Sequence, residues 1–232
     1  MKAMIFAAGL GSRLKQLTQN KPKALVEVNG KPLLEHVINK LKQAGVSDII
    51  INVHHYPQQI IDFVRSHDFG INISFSVEED QLLDTGGGLK KASPFFDDGK
   101  PFFIHNVDVI SDINLQEMYD YHLRENALAT LAVRNRDTQR YFLFDENNRL
   151  CGRRNLKTNE TILVPGTPSQ ASVHPFAFSG IHVVSPQIFA FMPKEDIFPV
   201  IDLYFNVNNH VSAYLHDYGS WKDMGKIEDF VL

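Results

Sequence analysis

The sequence has little of several features that would assign it to a specialised class of protein. It contains a single cysteine, Cys151, so no disulfide can form within the chain. No stretch approaches the roughly 18 uninterrupted apolar residues that a membrane helix needs, and the first residues lack the basic segment of a secretion signal. Lysine and arginine form no cluster, and a formal charge of −4 argues against a surface that coats nucleic acid. We therefore expect a cytoplasmic protein with no membrane partner and no nucleic-acid partner.

Apolar residues and their spacing predict the fold class. They make up 44% of the 232 residues, enough for one substantial core, and the length suits a single α/β domain over residues 1–232. Short apolar runs typical of buried strands alternate with segments of helical periodicity. The predicted strands are residues 2–8, 48–53, 71–77 and 101–107, and the predicted helices are 32–44, 58–67 and 115–125, with another helix starting near Gly88. This alternation predicts βαβ units and a mostly parallel sheet.

The pattern changes after Arg134, following a β-rich segment at 127–134. Residues 141–145, 149–153 and 176–184 are predicted as strands, with polar turns between them. This predicts an antiparallel insertion at about residues 135–185. Within it, residues 155–172 are rich in Ser, Thr, Asn and Pro, which suggests an ordered loop or a mobile lid. A helix near Pro199 and a strand at 211–216 return the chain to the main sheet.

A glycine-rich loop directly follows the first predicted strand. It is Ala7-Ala8-Gly9-Leu10-Gly11-Ser12-Arg13, in which the glycines let backbone N–H groups approach a polyphosphate and Arg13 adds positive charge. A tight turn without a ligand is the alternative. A dinucleotide fingerprint needs a third glycine where Leu14 stands, and a Walker A loop needs Gly-Lys-Ser/Thr, which this sequence lacks. Both of those nucleotide motifs are disfavoured.

A second motif is Lys21-Pro22-Lys23-Ala24-Leu25, whose Lys23 stands ten residues beyond Arg13 and precedes a predicted Leu-Val-Glu-Val strand. Together the two motifs resemble the signature of the sugar-1-phosphate nucleotidylyltransferases. The resemblance implies that Ala8, Gly9, Gly11 and Ser12 bind the nucleotide triphosphate. It further implies that Arg13 contacts phosphate and that Lys23 stabilises the transition state, so both are expected to be catalytic.

The resemblance extends along nearly the whole chain. Leu83-Asp84-Thr85-Gly86-Gly87-Gly88 is similar to a family segment whose backbone lies against the nucleobase, which implies nucleotide contacts at Gly86 and Gly87. Phe178-Ser179-Gly180 resembles a strand that presents a glycine to the sugar, so Gly180 is expected to bind sugar.

Two aspartates resemble the metal ligands of the family. Asp108 ends the strand at 101–107, where Val107 replaces the usual glycine of Asn-Gly-Asp. Asp223 lies in Trp221-Lys222-Asp223-Met224-Gly225, which is similar to Trp-x-Asp-x-Gly but continues with Lys226 instead of Thr-Pro. The resemblance implies that both carboxylates bind Mg²⁺, and we expect them to meet at one edge of the sheet.

The family likeness implies a Rossmann-like, three-layer α/β fold of the nucleotide-diphospho-sugar transferase type, with a mixed, mostly parallel sheet. It implies that the chain, as a monomer or small homo-oligomer, condenses an NTP with a sugar 1-phosphate and releases pyrophosphate. The short chain most resembles the N-acetylmuramate-1-phosphate uridylyltransferase and mannose-1-phosphate guanylyltransferase branches, which leaves UTP and GTP open.

Two alternatives to this activity remain. A glycosyltransferase that uses a nucleotide sugar is less favoured, because Asp108-Val109-Ile110 lacks the second carboxylate of the Asp-x-Asp motif. A catalytically silent nucleotide-sugar-binding regulatory subunit is disfavoured because Arg13, Lys23, Asp108 and Asp223 are all present.

Overall fold

The computed structural model describes residues 1–164, 167 and 172–230, with every side chain in these ranges except that of Lys15. The first half contains β1 (Lys2–Phe6), β2 (Glu27–Val28), β3 (Lys31–Pro32), α1 (Leu33–Gln43), β4 (Asp48–Val53), α2 (Pro57–Arg65), β5 (Asn72–Val77), α3 (Asp84–Ala92) and β6 (Phe102–Asn106). The second half contains β7 (Val109–Ser111), α4 (Leu115–Glu125), β8 (Ala129–Arg134), β9 (Arg140–Phe144), β10 (Leu150–Asn155), β11 (Glu160–Leu163), β12 (His174–Val184), α5 (Val200–Asn206), β13 (Val211–Leu215) and β14 (Trp221–Asp223). Short 3₁₀ turns include Ser12–Thr18 and Lys23–Leu25.

The central sheet confirms the predicted α/β fold. Strands β5, β4, β1 and β6 lie side by side and run parallel, as the buried apolar runs predict. Strand β12 then pairs antiparallel with β6 on one side and with β8 on the other, and β13 runs parallel to β8. The sheet is therefore mixed, with a parallel centre.

Helices cover both faces of this sheet. Successive residues of β1 point to opposite sides, so Ala3 and Ile5 enter one core while Met4 enters the other. The first core includes apolar residues of α1, α2 and α4, and the second includes those of α3 and α5. This gives the three layers that the resemblance implies. None of the helices in the described ranges is both long and apolar enough to cross a bilayer.

The predicted insertion is an antiparallel extension of the sheet. Strand β9 pairs with β10, and β10 pairs with β11. Strand β12 connects this extension to the main sheet, because His174–Phe176 pair with β9 and Ile181–Val184 pair with β6. The predicted loop or lid at 155–172 contains β11, so that part of it is a strand, and residues 165, 166 and 168–171 lie outside the described residues.

Some predicted boundaries were wrong. Helix α3 begins at Asp84, earlier than the predicted start near Gly88, so the three glycines lie inside the helix. Glycine has a low helix propensity, and here close packing against the segment 196–198 overrides it. The predicted Leu-Val-Glu-Val strand is shorter than expected, because a 3₁₀ turn occupies Lys23–Leu25 and only Glu27–Val28 pair as a strand.

Three of the four buried histidines in the described ranges, His105, His122 and His182, are neutral parts of this core. The ring of His122 lies between the hydroxyls of Thr130 and Ser185, at 2.9 and 2.8 Å. Burial lowers the pKa of His122 to about 4, and it lowers the pKa of His105 to about 4 and of His182 to about 3. Because each folded-state pKa lies below the ordinary value of 6.5, acid favours the unfolded chain.

We expect the free energy of unfolding to be highest above pH 6.5 and to fall as the pH is lowered from 6.5 towards 4. Each of these histidines contributes up to about 1.4 kcal/mol per pH unit in that range. Urea unfolding at a series of pH values measures how steeply the free energy of unfolding depends on pH. In His122→Phe this dependence should be weaker by up to about 1.4 kcal/mol per pH unit, which corresponds to one proton. Equal slopes for wild type and variant would contradict a neutral, buried His122.

Candidate active site

A cleft of about 400 Å³ opens at the carboxyl ends of β1, β4 and β6, where parallel strands gather ligand-binding residues. The glycine loop forms one wall, and the turn that carries Asp108 forms another. The lining comprises Phe6, residues 7–13, Lys23, Asn52, Leu82, Asp84, Thr85, residues 106–108 and Gly225. Ala8, Gly9, Gly11, Ser12, Arg13, Lys23 and Asp108 therefore share one cleft, as the sequence predicts.

The two glycines of the first loop have different structural roles. Gly11 has φ +64°, and a Cβ there would lie 2.9 Å from Thr18 Cγ2 and 3.2 Å from Lys23 Cβ. Gly11 thus lets the loop turn tightly and brings Lys23 against it. A Cβ on Gly9 would meet nothing within 4 Å. Gly9 therefore leaves its backbone open to the cleft, which suits close approach of a phosphate.

Lys23 is held by a 3₁₀ turn after Pro22. The backbone N–H of Leu25 donates to the carbonyl of Pro22, and that of Val26 donates to the carbonyl of Lys23, each at 3.0 Å. The Lys23 side chain is buried, and its Nζ donates to Oδ2 of Asp108. The cation and one carboxylate expected from the sequence are therefore in direct contact.

Strand β14 places Asp223 beside Asp108, as the sequence predicts. In the antiparallel pairing of β14 with β7, Asp223 lies opposite Val109. The next residue, Met224, donates its backbone N–H to the carbonyl of Asp108 at 2.8 Å. The backbone segments that carry these two aspartates are thus adjacent at one edge of the sheet, although Asp223 is not among the residues that line the glycine-loop cleft.

The charges around Asp223 suit a divalent cation. Partial burial raises the pKa of Asp223, and nearby Asp108 raises it further, while Lys23 and Arg13 act in the opposite direction. Paired carboxylate oxygens are ligands that Mg²⁺ prefers. Among the described residues there is no group of three or more His, Cys, Asp or Glu arranged for a metal. Any metal here would complete its coordination with water or substrate oxygens.

Gly225 lets Arg13 approach the carboxylates. A Cβ at this position would lie 2.7 Å from Oδ1 of Asp223 and 3.2 Å from Nη2 of Arg13. Any larger residue would therefore displace one of them. The exposed guanidinium of Arg13 faces the glycine-loop cleft and a second, larger cleft of about 1330 Å³.

Gly86 and Gly87 lie in the first turn of α3, and both are buried. A Cβ on Gly86 would lie 2.3 Å from the ring of Phe198, and one on Gly87 would lie 2.0 Å from the carbonyl oxygen of Asp196. These glycines therefore let the helix pack on the segment 196–198, while their neighbours Asp84 and Thr85 line the cleft. Contact of Gly86 and Gly87 with a nucleobase stays a prediction.

Gly180 is buried behind the turn that carries Asp108. Its φ is +77°, and a Cβ would lie 2.7 Å from Val109 Cγ2 and 3.0 Å from Asn106 Nδ2. Gly180 thus allows β12 to pack closely against this turn. Its expected contact with the sugar stays a prediction.

Sequence reasoning missed a buried polar connection between the two glycine-rich segments. Asn52 accepts a hydrogen bond from the N–H of Ala7 at 2.9 Å and donates one to Glu78 at 2.8 Å. Glu78 also accepts from the N–H of Leu83 at 2.9 Å, just before α3. A polar residue inside an otherwise apolar buried strand was the signal that could have identified Asn52.

Comparison with known proteins decides the family. The profile described as "Nucleotidyl transferase" matches residues 2–232. This chain belongs to the nucleotidyl transferase family. A crystal structure of HddC from Yersinia pseudotuberculosis, complexed with GMP-PN, has a TM-score of 0.79 at 22% identity, covering 99% of this chain and 96% of that one. This likeness confirms the mixed α/β fold.

Curated relatives have longer chains. Mannose-1-phosphate guanyltransferase from Yarrowia lipolytica is 40% identical over 136 residues, which are 57% of this chain and 37% of that protein. Mannose-1-phosphate guanyltransferase 2 from Candida glabrata is 29% identical over 236 residues, covering 100% of this chain and 63% of that protein. This nucleotidyl transferase family member thus spans less than two thirds of the length of these two relatives.

Substitutions of Gly9 and Gly11 should have different effects, the first on NTP affinity and the second on the free energy of unfolding. We expect Gly9→Ala to change the free energy of unfolding by less than about 1 kcal/mol, since its Cβ meets no protein atom, and to weaken NTP binding about tenfold or more. Gly11→Ala should destabilise the fold, because alanine is strained at a positive φ and would contact Thr18. Calorimetric NTP titration and urea unfolding measure the two effects. Unchanged NTP affinity in a folded Gly9→Ala protein would contradict the role assigned to this loop.

Proposed function

We propose that this chain transfers a nucleotidyl group from an NTP to a sugar 1-phosphate, releases pyrophosphate and requires Mg²⁺. The observation that carries the proposal is the convergence of the glycine loop, Lys23, Asp108 and Asp223 at one edge of the sheet. Backbone N–H groups and cations suit a triphosphate, and adjacent carboxylates suit a divalent metal.

The proposed chemistry needs no covalent intermediate. An oxygen of the sugar phosphate attacks the α-phosphorus of the NTP, and the bond from that phosphorus to the pyrophosphate oxygen breaks. The protein positions the two anionic groups and stabilises their charge. Mg²⁺ bound to Asp108 and Asp223 would neutralise charge on the reacting phosphates. Arg13 and Lys23 stabilise the charge that grows on the leaving pyrophosphate.

The names of the relatives favour one substrate pair. Both curated relatives described above are mannose-1-phosphate guanyltransferases. We therefore propose GTP and mannose 1-phosphate as the first pair to test, with UTP and other sugar 1-phosphates as alternatives.

A pyrophosphate-release assay tests the proposed reaction. It crosses the four NTPs with the 1-phosphates of mannose, glucose, N-acetylglucosamine, N-acetylmuramate and heptose. Pyrophosphate should form with at least one pair, together with a stoichiometric amount of nucleotide sugar. Nucleotide binding without turnover for any pair would instead favour a regulatory subunit.

Lys23 is expected to act mainly in the transition state. Lys23→Ala should lower kcat by roughly 10²–10³, because a preorganised positive charge would be lost. Lys21→Ala, two residues away, is the matched control and should retain a near wild-type kcat. Steady-state kinetics with confirmed folding measures both. A folded Lys23→Ala enzyme with a wild-type kcat would remove Lys23 from the mechanism.

The metal proposal predicts that pyrophosphate release depends on Mg²⁺ and that Asp223 helps to bind the ion. EDTA should abolish pyrophosphate release and added MgCl₂ should restore it, because on this proposal Asp108, Asp223 and substrate phosphates would hold the ion. In Asp223→Asn, the MgCl₂ concentration for half-maximal rate should rise about tenfold or more. Glu228→Gln, which removes an exposed carboxylate of the neighbouring cleft, should leave it unchanged. An identical Mg²⁺ dependence in wild type and Asp223→Asn would exclude Asp223 as a ligand.

A further inference from the structure

The larger cleft adjoins the catalytic edge of the sheet. Arg13 and Gly225 line both clefts, so a molecule in the larger one reaches the reacting groups directly. On the proposed function, the NTP occupies the cleft of the glycine loop. The larger cleft, which Asp223 lines, is then the space left for the second substrate.

That phosphate must approach two carboxylates. A phosphomonoester carries up to two negative charges near neutral pH, and placing it beside Asp108 and Asp223 is unfavourable without nearby cations. The larger cleft has four acidic side chains, Asp137, Asp223, Glu228 and Asp229, and four basic ones besides Arg13. Arg140, Lys222 and Lys226 are exposed, whereas Arg136 is half-buried.

Arg136 is fixed beside Asp223 by two contacts. Its guanidinium carbon lies 4.3 Å from the centre of the Trp221 ring, two residues before Asp223 on β14. Its Nη2 donates to the carbonyl oxygen of Phe178 at 3.0 Å. Trp221 is in turn held by its Nε1–H, which donates to the carbonyl of Ser179 at 2.9 Å. The arginine is therefore oriented before any substrate binds.

The guanidinium keeps donors that the protein does not satisfy. Apart from the bond to Phe178, its other described hydrogen bond is a long one from Nη1 to the carbonyl of Asp137 at 3.5 Å. Its Nε is buried and has no partner within the described part of the chain. A ligand entering the cleft cannot reach the buried Nε, so the N–H groups of Nη1 and Nη2 that the protein leaves without an acceptor are the ones that suit an incoming anion.

We propose that Arg136 binds the phosphate of the sugar 1-phosphate and positions it against Asp223 for attack on the α-phosphorus. This assignment rests on the proposed function and adds a residue that recognises the second substrate. The planar fork of an arginine can donate two parallel hydrogen bonds to a phosphate, which fixes the orientation of the attacking oxygen as well as its charge. A lysine at this position would keep the positive charge but could not donate two parallel hydrogen bonds from one planar group.

Steady-state kinetics of Arg136→Gln and Arg136→Lys test the assignment. The wild-type enzyme must first be shown to release pyrophosphate. The KM for the sugar 1-phosphate should rise about 10- to 100-fold in Arg136→Gln, which reflects the loss of charge-assisted hydrogen bonds. The rise should be smaller in Arg136→Lys. The KM for the NTP should change less than about twofold in both, since the glycine loop is untouched. Arg65→Gln, an exposed arginine at the end of α2 that lines neither cleft, is the matched control and should behave as wild type.

Inorganic phosphate provides a second readout. It should inhibit the wild type competitively with the sugar 1-phosphate and inhibit Arg136→Gln much more weakly. Equal increases in both KM values, or unchanged KM values, would overturn the assignment while leaving the proposed function standing. If Arg136→Gln does not fold, the KM pattern of Arg136→Lys decides. An inactive wild-type protein would overturn the proposed function, and the assignment with it.

Discussion

Two negative charges held side by side are the constraint around which this site is organised. The pairing of β14 with β7 places Asp223 opposite Val109, next to Asp108, and partial burial together with the charge of Asp108 raises the pKa of Asp223. The fold compensates with cations supplied from different parts of the chain. Lys23 contacts Asp108 directly, and Gly225 leaves room for Arg13 beside Asp223. Such an arrangement is expected where a divalent cation and phosphates are to be bound, and it has no evident value for stability alone.

The glycines of the site perform several distinct physical tasks. Gly9 faces open space, as a backbone that approaches a ligand requires. Gly11, Gly86 and Gly180 are instead needed because protein atoms lie where their Cβ would be. In a sequence motif these positions look alike. The difference matters for interpreting substitutions, because a side chain added at the first kind meets no protein atom, whereas one added at the second disturbs the scaffold.

A buried polar connection couples the two glycine-rich segments. Asn52 binds the backbone at Ala7, and Glu78 binds the backbone just before α3. Because the two side chains also bind each other, the spacing between the segments is set by hydrogen bonds within the protein core. A nucleotide held between these segments would enter a gap whose width is already fixed in the free protein, which lowers the entropy cost of binding.

The sequence by itself determined the alternation of strands and helices and the glycine-rich loop after β1, and it singled out Lys23, Asp108 and Asp223 as candidate site residues. These features are local, since they depend on apolar spacing, on glycine and proline, and on short motifs. It did not predict the helical state of Gly86 and Gly87, because glycine disfavours helices and only contact with Phe198 and Asp196 explains it. Nor did it predict the contacts of Asn52 with Glu78 or of Arg136 with Trp221. Tertiary structure decided these because they join residues far apart in sequence: Asn52 and Glu78 meet where β4 pairs with β5, and Arg136 lies in the loop after β8 whereas Trp221 lies on β14.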